Sequence, residues 1–242
     1  MHRVTSRLAV IAIVLAGSLG CSSPSRPEPP AEPSGPNTLT SAERAAGWRL
    51  LFDGRTTAGW RGFRQAGVPR GWQVVDAALT RIGAGGDLIT SDQFTSFELA
   101  LEWQIATAGN SGIMFRVSEA ADATHLTGPE MQVLDNAGHP DGRSLLSSAG
   151  ACYGLYPPSQ DVTRPVGEWN AVRILVNGAR VEHWLNGTRI VEYELGSADW
   201  LARLQASPFA GVPTYGREAR GHIALQDHGD RVAYRSVKLR PI

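Results

Sequence analysis

In the segment 97–105, Phe97, Leu99, Leu101, Trp103 and Ile105 are apolar, while Glu98, Glu102 and Gln104 stand between them. Successive strand side chains point to opposite faces, so this order makes a strand with one face in a core and the other in water. Ile113, Phe115 and Val117 repeat the pattern, with Met114 and Arg116 opposite them. Two Asn-Gly pairs, at 177–178 and 186–187, each separate apolar runs and read as hairpin turns, which predicts a three-stranded meander over 169–193. A strand at 222–228 turns Ile223 and Leu225 inward and His222, Gln226 and His228 to its second face, and a last strand runs over 232–239. The one helix candidate of any length is 197–205. Glycine, at 27 of 242 residues, exceeds the background of roughly 7% and suits a turn-rich chain. The expected class is all-β, two antiparallel sheets packed as a sandwich or closed as a barrel.

The chain opens differently. His2, Arg3 and Arg7 form a basic start ahead of an apolar run at 8–16, the form of a secretory signal over 1–20, too short for a permanent span. Its end, Leu15-Ala16-Gly17-Ser18-Leu19-Gly20-Cys21, resembles a bacterial lipoprotein cleavage site, with Ser18 where Leu is usual. Cys21 is therefore expected to carry lipid. Ser22 and Ser23 lack the acidic residue of an inner-membrane retention signal, so the expected location is the cell envelope, anchored at the outer membrane and facing periplasm or cell surface. Six prolines between Pro24 and Pro36 make 21–41 an extended tether. A capped helical turn at 41–47 opens the domain, taken as 42–242. With Cys21 lipidated, Cys152 has no disulfide partner and reads as a small buried hydrophobe. The 23 basic and 23 acidic residues cancel, which argues against nucleic acid as a partner.

A sandwich buries its inner faces, so polar residues on strand faces look to solvent or into a groove. Glu102, Arg116, Glu130, Gln132, His222, Gln226 and His228 are such residues. Each alone reads as solvated surface; several on neighbouring strands make a site. Glu130 and Gln132 share one strand face, with Asp135 just past its end. Jelly-roll glucanases carry Glu-x-Asp-x-Glu on such a strand. Here Gln132 and Leu134 occupy the second and third of those positions, so a two-carboxylate glycosidase lacks its partner. His139 lies in a loop able to deliver a base or a metal ligand, whereas His125 and His183 read as structural or surface residues. No zinc, EF-hand, nucleophile-elbow or phosphate-loop spacing occurs. No cofactor is certain from these spacings, and a single divalent cation held by dispersed Glu, Asp and His stays open. Trp103 reads as core. Trp48, Trp60 and Trp72 flank turns, where stacking on a sugar is the less favoured reading.

Leu51-Phe52-Asp53-Gly54 with Gly59-Trp60, then Gly86-Asp87-Leu88, Asn110-Ser111-Gly112-Ile113, Gly128-Pro129-Glu130 with Gln132, LYPP at 155–158 and GHIALQDHGD at 221–230 stand in one order along the chain. This set resembles the 3-keto-disaccharide hydrolase domain family over about 50–240. The resemblance implies a concanavalin A-like jelly roll acting on glycosides whose ring carries a C3 ketone. That chemistry needs a base, a group to hold an enolate and an acid. The roles expected are Glu130 or His139 as base, and His228 or Asp135 as acid or ligand. Glu102, Arg116, Gln132, Tyr153, His222 and Gln226 are expected to contact the sugar. The partner is a carbohydrate, reached by a chain held on the membrane through its lipid. The ketone would come from a separate sugar 3-dehydrogenase, since no dinucleotide fingerprint is present. A carbohydrate-binding module without catalysis is the alternative, and a conventional glycosidase the third reading.

Overall fold

The computed structural model describes residues 35–242. The segment expected as a signal, Cys21 and the greater part of the expected tether lie outside the described residues. In chain order the elements are α1 (Ser41–Ala45), β1 (Arg49–Leu50), β2 (Trp60–Gly62), β3 (Trp72–Val75), β4 (Ala78–Arg81), β5 (Leu88–Thr90), β6 (Phe97–Ile105), β7 (Asn110–Val117) and β8 (Glu130–Leu134). There follow β9 (Asn170–Asn177), β10 (Arg180–Leu185), β11 (Thr188–Glu194), α2 (Ala198–Gln205), β12 (His222–Leu225) and β13 (Val232–Pro241). They form two antiparallel sheets of a jelly-roll sandwich. One is eight-stranded, β11-β10-β9-β6-β13-β4-β3 with β1 beside β13, and the other is five-stranded, β2-β5-β12-β7-β8.

The alternation seen in the sequence sets the interior. Leu99, Leu101 and Trp103 of β6 and Ile174 of β9 meet Ile113 and Phe115 of β7, Met131 and Val133 of β8, and Ile223 and Leu225 of β12, all nearly or fully buried. Each such side chain contributes about 1.5–3 kcal/mol by leaving water. The meander forms as expected over β9, β10 and β11, its second turn closed by Asn186 and Gly187, both at positive φ. Ser197 caps α2, its side chain accepting from Trp200 N. Cys152 is buried among apolar neighbours, and burial pushes its thiol up to about 12, so it is inert near neutrality. Trp60 and Trp72 are buried with their indole N–H groups on the Leu51 and Gly86 carbonyls, while Trp48 lies under Lys238 and Arg240.

Two bulges redirect side chains that strict alternation would have put elsewhere. In β7, Val117 pairs with His222 and Met114 with Ala224, so one extra residue sits in β7. Arg116 takes it up at φ 53°, Val117 returns to the face of Met114, and the guanidinium turns to the Thr95 and Gly178 carbonyls at 3.0 and 2.6 Å. In β13 the extra residue is Ser236, at φ 54°. Its N–H donates to Asn37 Oδ1 at 2.7 Å, and Asn37 Nδ2 in turn reaches the Ala77 carbonyl at 2.8 Å. The segment ahead of α1 is thereby pinned to the eight-stranded sheet.

Candidate functional site

The site begins with β8. Met131 and Val133 face the core, so Glu130 and Gln132 emerge on the outer face of the five-stranded sheet. They meet Asn110 of β7 and Gln226, which follows β12. Loops roof this patch with Tyr153, Phe209, Asp141, His125 and His228, enclosing a cavity of about 240 Å³. Phe209 is set by an aromatic stack. Its ring lies 4.0 Å from that of Tyr215, which continues to Trp200, Tyr193 and Tyr156 with interplanar angles of 10–21°.

Glu130 is nearly inaccessible, and no hydrogen bond or positive charge among the described residues offsets its burial. Burial first, then the neighbouring Asp87 and Asp141 carboxylates, push its pKa up to about 8. Its carboxylate lies flat against Gly112, where a Cβ would come within 1.9 Å of Oε1. The Tyr153 phenol is likewise raised, by burial first and then by Asp141 and Glu130, so it stays a donor. Four buried side-chain polar atoms among the described residues lack a partner, and two of them belong to this cavity, Asn110 Oδ1 and Gln132 Oε1. The Gln132 amide nitrogen donates to the Ser147 carbonyl at 3.2 Å, which leaves its oxygen as a free acceptor. Buried acceptors without donors are costly, and hydroxyl groups of a ligand would satisfy them.

Of the residues expected from the sequence, Glu130, Gln132, Tyr153, Gln226 and His228 are brought together here. His139 stands beside them, its ring 6.3 Å from that of His228 and its Nδ1 accepting from Asp141 N at 3.1 Å. Four others are placed elsewhere. Glu102 lies on the outer face of the eight-stranded sheet, bonded to Arg235 and Ser236 at 2.9 and 3.0 Å. Arg116 is taken by the bulge already described. The buried His222 donates from Nδ1 to the Thr90 carbonyl at 2.7 Å and takes Gln93 Nε2 at its other nitrogen. Asp135 accepts three backbone N–H groups, from Ala108 at 2.7 Å and from Ala137 and Gly138 at 3.1 Å, and so organises the loop that carries His139 and Asp141. Asp135→Ala is expected to lower unfolding free energy by about 2–3 kcal/mol in a denaturant titration and to raise KM, because it strands those donors.

His183 is structural, its Nδ1 on the Gly150 carbonyl and its pKa lowered by burial to about 4. His125, expected as structural or surface, is exposed on the cavity rim. Asn110, Asp141 and Phe209 were missed, since loops or a strand end deliver each of them. Among the described residues no three His, Cys, Asp or Glu side chains are grouped as cation ligands. A larger cavity, about 690 Å³ against Trp103 and Leu134, lies beyond the 136–148 loop. Its carboxylates are occupied, Asp135 by the backbone and Asp161 by Thr163 and Asn136. The smaller cavity is the one whose wall carries a buried carboxyl group without a hydrogen-bond partner among the described residues and two unpaired amide oxygens.

Residues 47–240 match the family described as the 3-keto-alpha-glucoside-1,2-lyase-like domain. A protein of Bacteroides thetaiotaomicron named 3-keto-disaccharide hydrolase is 32% identical over 228 residues, covering 81% of this chain and 79% of the relative. A crystal structure of a candidate glycosyl hydrolase from Parabacteroides distasonis superposes with a TM-score of 0.81 at 33% identity, over 86% of this chain and 100% of that one. A second from that organism, at 24% identity, gives 0.64 over 81% of this chain and 99% of that one, a likeness of fold.

Proposed function

This chain belongs to the 3-keto-alpha-glucoside-1,2-lyase-like family, and from that premise we propose that it cleaves glycosides oxidised to a ketone at C3, by elimination and rehydration. A carbonyl at C3 acidifies the hydrogen on C2. A base can then break the C2–H bond while the electron pair is held as an enolate on the C3 oxygen. When the carbonyl re-forms, the pair makes a C1–C2 double bond and the C1–O bond breaks, its oxygen taking a proton. Water adds at C1 and a proton returns to C2, so the net change is hydrolysis.

One observation carries this reading: Glu130, a buried carboxyl group without a counter-ion and pushed up to about 8, in the wall of a cavity with two unpaired amide oxygens. Such a carboxylate accepts a proton more strongly than an ordinary glutamate, and the acid it becomes can return that proton to C2. Tyr153, kept protonated, suits the enolate oxygen. His228, with His139 beside it, serves the leaving oxygen, and Asn110 and Gln132 accept from ring hydroxyls. A separate sugar dehydrogenase must supply the ketone.

The test is release of a chromogenic aglycone from a 3-keto-glucoside beside its unoxidised parent. The expected result is release from the keto substrate alone, with a primary isotope effect when C2 carries deuterium. Equal release from the parent, or none of the isotope effect together with no solvent exchange at C2, overturns elimination. Sugar binding without any turnover leaves a carbohydrate-binding module. Repeating the assay after chelation decides whether a divalent cation shares the enolate oxygen. Tyr153→Phe is expected to lower kcat about 100-fold with little change in KM, the cost of one donor to a developing oxyanion.

A further inference from the structure

The cavity at Glu130 is one half of a longer cleft. A second compartment, about 370 Å³, opens beside it, and the walls of both include His125, Gln226 and His228. The inner compartment holds the buried Glu130 and the unpaired acceptors of Asn110 and Gln132. The outer one is lined by Phe63 and by three carboxylates, Asp87, Asp122 and Asp227. Neither wall contains a lysine or arginine. Arg81 sits on Asp227 at 2.6 Å and Arg64 on Asp122, but Asp87 has only uncharged donors, Thr124 Oγ1 and Asp227 N. The outer compartment therefore carries uncompensated negative charge.

Resting on the elimination reading above, we propose that the outer compartment is the leaving-group subsite, that it favours uncharged or cationic leaving groups over anionic ones, and that the glycosidic oxygen sits between His125 and His228. The glycosidic oxygen joins the two halves of the substrate, so it must lie where the two compartments meet. The keto ring is fixed in the inner one, because its C2 hydrogen must reach Glu130 and its hydroxyls must meet Asn110 and Gln132. Of the three residues common to both walls, only the two histidines are side chains of a type that serves as a general acid. As the C1–O bond breaks, its electron pair stays on oxygen and one imidazolium gives that oxygen its proton, releasing an alcohol; solvent reprotonates the ring. An anionic leaving group entering past Asp87 meets like charge in a partly desolvated cleft, with no lysine or arginine in its wall to receive it.

The experiment uses the full chain and two 3-keto-glucosides of 4-nitrophenol, one carrying a carboxamide and the other a carboxylate at the same ring position. The carboxamide is expected to give a kcat/KM at least 10-fold higher, with the ratio shrinking in high salt and in Asp87→Asn. If Asp87→Asn does not fold, the salt titration of the unaltered protein still decides. Equal kcat/KM values at low salt overturn the charge selection. A second comparison assigns the compartments. Phe63→Ala should raise KM for the carboxamide substrate severalfold and leave that for 3-keto-glucosyl fluoride, whose leaving group is one atom, unchanged. Equal changes in both overturn the subsite assignment. Failure to cleave any 3-keto-glucoside would instead refute the elimination reading on which this one rests.

Discussion

Glu130→Gln should lower kcat/KM for a 3-keto-glycoside about 10³-fold, within the range that a positioned general base supplies. The amide keeps the shape of the carboxyl group, so the loss is chemical. In the unaltered protein kcat/KM should rise with pH through an apparent pKa near 8, the value to which burial and the Asp87 and Asp141 carboxylates push Glu130. The variant should lack that limb. The same shift has a consequence for stability. A glutamate whose folded pKa is raised from 4.5 to about 8 keeps its proton in the folded chain across a window where the unfolded chain has lost it. The unfolded state then binds fewer protons, and stability falls as pH rises between those values. The penalty is on the order of 5 kcal/mol when complete. Glu130→Gln has no carboxylate to ionise, so its thermal midpoint should match that of the unaltered protein near pH 4 and exceed it at pH 8–9. Parallel midpoints across that range, with activity intact in the variant, would remove Glu130 from the mechanism.

The second large effect needs no change to any polar group. Gly112→Ala places a methyl group 1.9 Å from Glu130 Oε1 and 2.6 Å from its Cδ. Gly112 is not at positive φ, so alanine suits the strand, and what gives way is the free end of the Glu130 side chain. The backbone is spared and the carboxylate is displaced. A misplacement of about 1 Å in a reacting group costs about 100-fold in rate, and that is the loss in kcat expected here. The thermal midpoint should change by no more than a few degrees. Retained kcat in a folded variant would show that the carboxylate need not lie against β7.

The sequence made the strands legible because one physical rule, alternation about a buried face, governs all of them. It put Glu130 with Gln132 and Gln226 with His228 on outward faces, and these four meet in the cavity. Alternation says which side a residue faces, but not which sheet it belongs to or how far along a strand it sits. Glu102 is outward as expected, yet on the other sheet. His222 shares a strand with the residues leading to Gln226, but four residues along a strand span about 13 Å. Arg116 escaped for a different reason, since a bulge built on a non-glycine residue at positive φ leaves no mark in residue type. Asp141, His125 and Phe209 come from loops whose course depends on tertiary partners such as the three N–H groups on Asp135. Only the glycine opposite Glu130 had a signal, in the Asn110-Ser111-Gly112-Ile113 run, and its meaning needed the neighbouring strand.

The attachment of Asn37 to the bulge in β13 fixes the direction from which the chain enters the domain. That bulge belongs to the eight-stranded sheet, whereas the cleft opens on the outer face of the five-stranded one. The two outer faces look in opposite directions, so residue 35 stands on the face opposite the one on which the cleft opens. A preparation coupled to a resin at residue 35 should therefore present the cleft to bulk solution and keep nearly its full specific activity, while coupling through residues of the five-stranded face should block it.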